Sequence, residues 1–406
     1  MFVPPTHILE NYARVLVRFA LGGGKGIKKG DTVYLVTSEA AKPLFMLCRR
    51  EILKAGGNVI TNYMPATWER YQFDRDFYEL ASPAQLDWFP QKYMKGLIDE
   101  IDHFLYIVAD ENPHSLDGID SKKIMRKGKA FRPFMDWRFK KEHAGKFTWT
   151  LCVYGTPAMA REAGLSEKEY WQQIINACYL DAKDPIKEWK HAFKMLGATK
   201  RKLDALTPTI DELHIEGEDV DLWVTPGETR QWLAGSGRNI PSFEIFTTPD
   251  CRETEGWIRF NQPLLRYGNR IEGIELWFEK GRVIKSKATK NEKVLKAMIA
   301  TEGADRVGEF SLTDKRLSRI TKFMAHTIFD ENMGGPYGNT HVALGFGYPD
   351  AYTGDLKTLT PAKKKRLGIN DSSVHTDMFS TTDRIVTAHL KDGSTKVIYK
   401  DGMFVL

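Results

Sequence analysis

Apolar residues recur at helical spacing from Ile8 to Leu21 (Leu9, Tyr12, Val15, Leu16, Phe19), and a loop follows from Gly22 to Gly30. DTVYLVTS, from Asp31 to Ser38, is a β-branched apolar run too short for a helix, which predicts a buried strand. AAKPLFMLCRREILKAGG reads as a helix closed by Gly56-Gly57, NVITNYMP as the next strand, and HFLYIVAD (His103 to Asp110) as another. Strand, helix and strand at this spacing predict a parallel, doubly wound sheet. Helical patterns continue through KEYWQQIINACYL and KEWKHAFKMLGATKRKLDAL. From about Thr209 the texture changes to shorter strands with Gly and Pro turns: ELHIEG, VDLWVTPG, FEIFTTP, GIELWFEKGRVI and RIVTAHLKDGSTKVIYKDGMFVL. The expectation is an α/β protein. A doubly wound parallel-sheet domain occupies residues 1–205, and a strand-rich α+β domain occupies residues 206–406. No internal repeat or low-complexity segment interrupts the pattern.

At 406 residues the chain suits two or three units at ~150 residues each. Hydrophobic residues at 42% and charged residues at 28% are ordinary for a globular protein and exclude a disordered or fibrous one. The formal charge of +6, from 59 basic against 53 acidic residues, is too small and too scattered to indicate nucleic acid. No apolar run approaches the ~18 residues of a membrane helix. The start, MFVPPTHILENYARVLVRF, lacks the basic and apolar regions of a signal peptide. Cys48, Cys152, Cys178 and Cys251 are isolated, without a C-x-x-C pair, so they read as buried apolar fillers in a reducing cytoplasm.

Several motifs carry no chemistry. GGGKG (Gly22 to Gly26) lacks the spacing of a phosphate-binding loop and the Ser/Thr after its Lys, and it precedes a strand rather than following one. Gly235-Ser236-Gly237 reads as a tight turn, and KKKR (Lys363 to Arg366) as a solvated helix face or loop.

Acidic and histidine residues embedded in apolar, strand-like contexts of the second half do suggest chemistry. His375 and Asp377 lie two apart in NDSSVHTDMF, so on an extended strand imidazole and carboxylate share a face. Such a pair suits a divalent cation that accepts nitrogen and oxygen donors, and suits equally a surface pair or a hydrogen-bonded histidine. His341 in GNTHVALGFGY precedes an apolar run and alone would read as a core histidine. Glu244 sits between Phe243 and Ile245, and Glu309 directly before Phe310. Either carboxylate could alternate to solvent; buried, it needs a partner, because desolvating an unpaired charge costs several kcal/mol. Together these five would hold two divalent ions a few ångströms apart.

GRNIPSFEIFTTPD, VGEFSL, FDENMGGPYGNTHVALGFGY and NDSSVHTDM resemble, in the same order and with comparable spacing, the metal-site motifs of the M29 peptidases, the aminopeptidase T / aminopeptidase S family. The resemblance extends through GDTVYLVTSEAAKPLFMLCRREILKAGGNVI, ENPHSLDGIDSKKI and DPIKEWKHAF, and so covers essentially the whole chain. It implies Glu244, Glu309, His341, His375 and Asp377 as ligands of two divalent ions (zinc, cobalt or manganese), with Glu331 matching the family's D-E-N glutamate. It implies Tyr348, after the H-x-A-L-G element, as an oxyanion donor, and Glu309 as a catalytic as well as a metal-binding residue. Removal of an N-terminal residue from a peptide, and a homodimer, follow from the same resemblance. The connection MGGPYGNT, between Asp330-Glu331-Asn332 and His341, is longer than is typical. It carries the expectation of a pocket-shaping loop with Tyr337 or Asn339 touching the peptide. Related folds include mononuclear-iron ring-cleaving dioxygenases of the dihydroxypyridine type, for which His341, His375 and Asp377 would suffice. A binding protein that kept the fold is the non-enzymatic alternative.

Overall fold

The computed structural model describes residues 2–66, 72–267 and 269–406. Two compact units divide the chain: Met1–Lys190 with Ser236–Ser242, and His191–Gly235 with Phe243–Leu406. This division falls at Lys190/His191, within a helix, beside the single boundary expected near residue 205. The helix Pro185–Leu206 runs from one unit into the other, and the short strand Asn239–Ile240 returns to pair with Thr148–Val153.

The first unit is built on a parallel sheet in the order Asn58–Met64, Thr32–Ser38, His103–Val108, Thr148–Val153, Asn239–Ile240. Each apolar run anticipated as a strand is one. The helix Lys42–Lys54 turns Leu44, Phe45, Cys48 and Ile52 inward at helical spacing. It ends where Gly56 takes a φ of 80°, a conformation a side chain would strain. All four cysteines are buried free thiols, as fillers should be. GGGKG closes the first helical stretch, with the Gly26 N–H donating to the Leu21 carbonyl at 2.8 Å.

In the second unit an eight-stranded antiparallel sheet accompanies a five-stranded one ordered His375–Ser380, Asn339–Gly345, Val307–Thr313, Glu244–Thr247, Leu233–Ala234. Side chains alternate across the latter. Ile245, Phe310, Leu312, Val342, Leu344 and Met378 point into the apolar core, where each contributes about 1.5–3 kcal/mol of burial. KKKR forms the exposed helix Pro361–Arg366. Among the described residues no helix is long and apolar enough to cross a membrane.

Candidate metal centre

The face opposite that core carries the chemistry. Antiparallel register sets Glu309, Ala343 and Asp377 side by side on three adjacent strands; Phe246, Ser311, His341 and Phe379 form the next row, and Glu244 lies opposite Thr313. Because the period of a strand is two, His375 joins Asp377 on this face. A bulge at Gly308 brings Glu309 into register; a Cβ there would collide with the Gly345 and Phe346 carbonyls. Five residues distant in sequence thus converge through one sheet.

Two trios result. One donor atom each from Glu244, Glu309 and His341, and one each from Glu309, His375 and Asp377, lie within 4.8 Å of one another. Glu309 belongs to both. Its Oε1 is 3.2 Å from His341 Nε2, and its Oε2 is 3.3 Å from His375 Nε2. Glu244 Oε2 stands 3.6 Å from His341 Nε2, and Asp377 Oδ1 stands 3.2 Å from His375 Nε2. The His341 and Glu309 side chains are only 1% and 4% exposed, against 22% and 13% for His375 and Asp377, so the cluster is closed on one side and open on the other.

Glu331 arrives differently from the other five. It follows the short helix Thr327–Asp330, is buried, and stands outside both trios. Its carbonyl accepts a hydrogen bond from Thr313 Oγ1, and Thr313 is the strand partner of Glu244. Burial, and then the charges of Glu244, Asp377 and Glu309, push its carboxyl well above the ordinary range. Burial works against charge on His341 and His375 too, but the carboxylates around them outweigh it and raise both pKa values. Asp377, which burial alone would raise, is held at about 2 chiefly by His375. Three carboxylates, Glu244, Glu309 and Asp377, in contact with two imidazoles form a donor set of nitrogen and hard oxygen suited to divalent cations, with the buried Glu331 nearby.

Orientation is fixed from behind. His375 Nδ1 is 2.8 Å from the Phe346 carbonyl, a contact that places its proton there and frees Nε2 for the cluster. Tyr348 sets its hydroxyl 3.4 Å from His375 Nε2, and its backbone N–H donates to Thr248 Oγ1. Burial, followed by the carboxylates of Glu309, Asp377, Glu244 and Glu331, holds the phenol well above its usual pKa, so it keeps its proton. Asn332 was not anticipated. Its Nδ2 donates to Glu331 Oε1 at 3.3 Å and to the Ile328 carbonyl, while its Oδ1 accepts the N–H of Phe243, the neighbour of Glu244. Its place after Glu331 in the D-E-N element was the available signal.

The connection to His341 lies against the fold rather than reaching outward with both candidate residues. Asn339 is buried, and its amide donates to the Asp330 carbonyl at 2.7 Å, so it does not present itself to a peptide. Tyr337 is exposed, and its carbonyl accepts from the Tyr399 hydroxyl.

An α/β protein with two histidines, one buried and one half-buried, amid carboxylates has the make-up of a metalloenzyme. Residues 6–404 match the family described as thermophilic metalloprotease (M29), and the chain belongs to that family. Aminopeptidase AmpS of Bacillus subtilis is 27% identical, with 97% of each chain covered, and aminopeptidase T of Thermus thermophilus is 28% identical, with 98% of each covered. The solved wild-type AmpT from Thermus thermophilus superimposes with a TM-score of 0.81 at 25% identity, over 98% of this chain and 99% of that one. A 2,5-dihydroxypyridine dioxygenase from Pseudomonas putida KT2440 matches at a TM-score of 0.51 and 12% identity, over 98% and 96% of the two chains, and shares the fold alone. The protein is thus a metal-dependent peptidase by family.

Proposed function

We propose that the protein is a dinuclear metalloaminopeptidase, which hydrolyses the N-terminal residue from peptides. The observation that carries this reading is the division of Glu309: its two oxygens face different histidines, so one carboxylate serves two adjoining trios. Glu244, Glu309 and His341 would hold one ion, and Glu309, His375 and Asp377 the other, with Glu331 adding a further carboxylate. With the ions bound, the four carboxylates would all be ionised and would balance the charge of two divalent cations. Zinc, cobalt and manganese all accept this donor set.

Two such cations held by these residues would lower the pKa of a bound water toward neutrality and would supply Lewis acidity to the scissile carbonyl and a site for the free α-amine. The chain supplies the rest. Glu309 fixes the separation of the trios and His375 faces the open side, where a peptide enters. Tyr348 donates its phenolic proton as a hydrogen bond to the carbonyl oxygen as charge collects on it, a contribution typically worth ~2.7–4 kcal/mol. A homodimer and a cytoplasmic location complete the reading, the first on family resemblance and the second on the dispersed, reduced cysteines.

Metal analysis of the purified protein, paired with amino-acid release from short peptides and their N-acetylated forms, tests this. Two ions per chain and cleavage only of free N-termini are the expected results. One iron per chain, or cleavage of the acetylated peptides, would overturn it.

A further inference from the structure

The two histidines of the centre are held unequally. His375 sets its Nδ1 2.8 Å from the Phe346 carbonyl, whereas His341 Nδ1 is shut off from water with no hydrogen-bond partner among the described residues. His341 is buried and turns its other nitrogen, Nε2, to Glu309 and Glu244 at 3.2 and 3.6 Å. Ser311 stands directly opposite His341 where the strands Val307–Thr313 and Asn339–Gly345 pair. It lies two residues from Glu309, so its side chain is on the face of the centre, while Phe310 and Leu312 turn to the core. Its hydroxyl too is buried and without a partner among the described residues. Phe246 and Phe379 complete this row, and the Phe379 ring meets the His341 ring edge to face, with centroids 6.1 Å apart. Within the row, the serine hydroxyl is therefore the polar group that His341 has beside it.

Directly opposite residues of an antiparallel pair set their Cβ atoms ~4.5–5.5 Å apart, a span that a hydroxyl and an imidazole nitrogen can close between them. Asn339 Oδ1 is also buried and unpartnered among the described residues, but Asn339 lies two residues along the strand from His341, ~7 Å away, and its amide is held by the Asp330 carbonyl. A histidine that binds a cation through Nε2 carries its proton on Nδ1, and that N–H needs an acceptor, as His375 has in Phe346. A serine oxygen offers lone pairs for it. We propose that Ser311 is a positioning residue: in the metal-loaded protein its hydroxyl oxygen accepts the Nδ1–H of His341 and so holds Nε2 toward the ion of the Glu244, Glu309 and His341 trio. The inference rests on the dinuclear reading and goes beyond it, by assigning a residue that acts on one ion and not on the other.

Titrating the zinc-loaded full chain with a competing chelator withdraws the ions in order of affinity and needs no peptide. Ser311→Ala nearly keeps the volume of the side chain and removes the acceptor. It should weaken one zinc ion by ~10–100-fold, as loss of a partner that orients a ligand does, and leave the other as in the wild type. In excess chelator the variant should unfold no earlier than the wild type, because removing an unpartnered buried hydroxyl costs no hydrogen bond. A residue that served the fold alone would shift unfolding and spare the zinc. Nitrogen-15 spectra of the histidines give a second readout. In the zinc-loaded wild type the Nδ1 proton of His341 should exchange slowly with water, and in Ser311→Ala it should exchange faster. Equal zinc affinities in wild type and Ser311→Ala, or an Nδ1 proton equally slow in both, would overturn the proposal. Ser311-dependent zinc binding in a protein that releases no amino acid from any peptide would retain it and sink the peptidase reading. Release of amino acids from free N-termini, with zinc affinities unchanged in Ser311→Ala, would do the reverse.

Discussion

Ala343 stands directly opposite Glu309 in the antiparallel pair, a methyl beside a carboxylate on the same face of the sheet. Asp377 flanks Ala343 on its other side, so the smallest chiral side chain occupies the middle of a row whose ends are both acidic. Neighbouring strands lie ~4.8 Å apart, and a larger side chain here would fill the space between the two carboxylates. Ala343→Val should fold, since valine suits a strand and overpacking costs ~1–3 kcal/mol. Its metal content, measured on the purified protein, should fall well below two ions per chain. Full occupancy with normal turnover would show that the ions lie elsewhere.

Glu309→Gln asks whether one carboxylate serves both trios. Glutamine keeps the volume and loses the charge, so both ions should be weakened, whereas Asp377→Asn or Glu244→Gln should weaken one. Even a residue behind the ligands commonly costs 10–100-fold, so hydrolysis by Glu309→Gln should fall by more than about 100-fold. Unchanged turnover at saturating metal would refute the role.

How the sequence encodes this centre depends on the distance between partners. His375 and Asp377 were legible as a pair because a strand's period of two is a local rule. Glu244 and Glu309 were not legible from periodicity, since their place opposite Thr313 and Ala343 depends on cross-strand register and on a bulge at Gly308, which the neighbouring chain dictates. Motif order supplied what periodicity lacked. Glu331 enters on a helical turn rather than through the glycine-rich connection. Asn339, which faced a peptide in the sequence reading, is consumed by the Asp330 carbonyl. In the fold, every apolar run of the first half became a strand where expected, but the return of Asn239–Ile240 to the parallel sheet could not be read from two residues.

Asn332 links the proposed ligand Glu331 to Phe243, the neighbour of the proposed ligand Glu244. Asn332→Ala removes one hydrogen bond from the Glu331 carboxylate and one from the Phe243 N–H, a loss of ~1–3 kcal/mol for buried groups. Metal affinity should drop by ~10–100-fold, as for other residues that orient ligands. Titration with a metallochromic competitor reads this directly. Equal affinity alongside reduced thermal stability would assign Asn332 to the fold alone.

Metal loading should respond to pH in a definite direction. A metal takes neutral imidazole, and the carboxylates raise the pKa values of both His341 and His375 above the ordinary 6.5 despite burial. Protons therefore compete with the metal already above pH 6.5, and affinity should weaken as pH falls from there. At pH 7 loading should release protons, seen as calorimetric heats that change with the ionisation enthalpy of the buffer. Heats independent of buffer would contradict the raised pKa values.

The connection MGGPYGNT is the remaining element with a direct bearing on His341. Gly338 has a φ of 65°, and a Cβ there would collide with the Tyr399 hydroxyl and the Thr313 carbonyl. The same hydroxyl donates to the Thr313 carbonyl at 2.8 Å and to the Tyr337 carbonyl at 3.2 Å, so the turn is fastened to the strand that carries Glu309. Three residues on lies His341, and one residue on lies Asn339, which binds the carbonyl before Glu331. A disturbance at Gly338 is therefore shared by two candidate ligands. Gly338→Ala should cost more than about 1 kcal/mol from the backbone conformation alone, and weaken metal binding as well. Tyr399→Phe should lower stability by about 1 kcal/mol through its lost hydrogen bonds, yet leave the ligands in place. Shortening the loop by deleting Gly335 to Gly338 should accordingly reduce metal content, in step with activity toward every short peptide. If metal content stays at two ions and only the preference among peptides changes, the loop acts on the pocket, through Tyr337, and not on the centre.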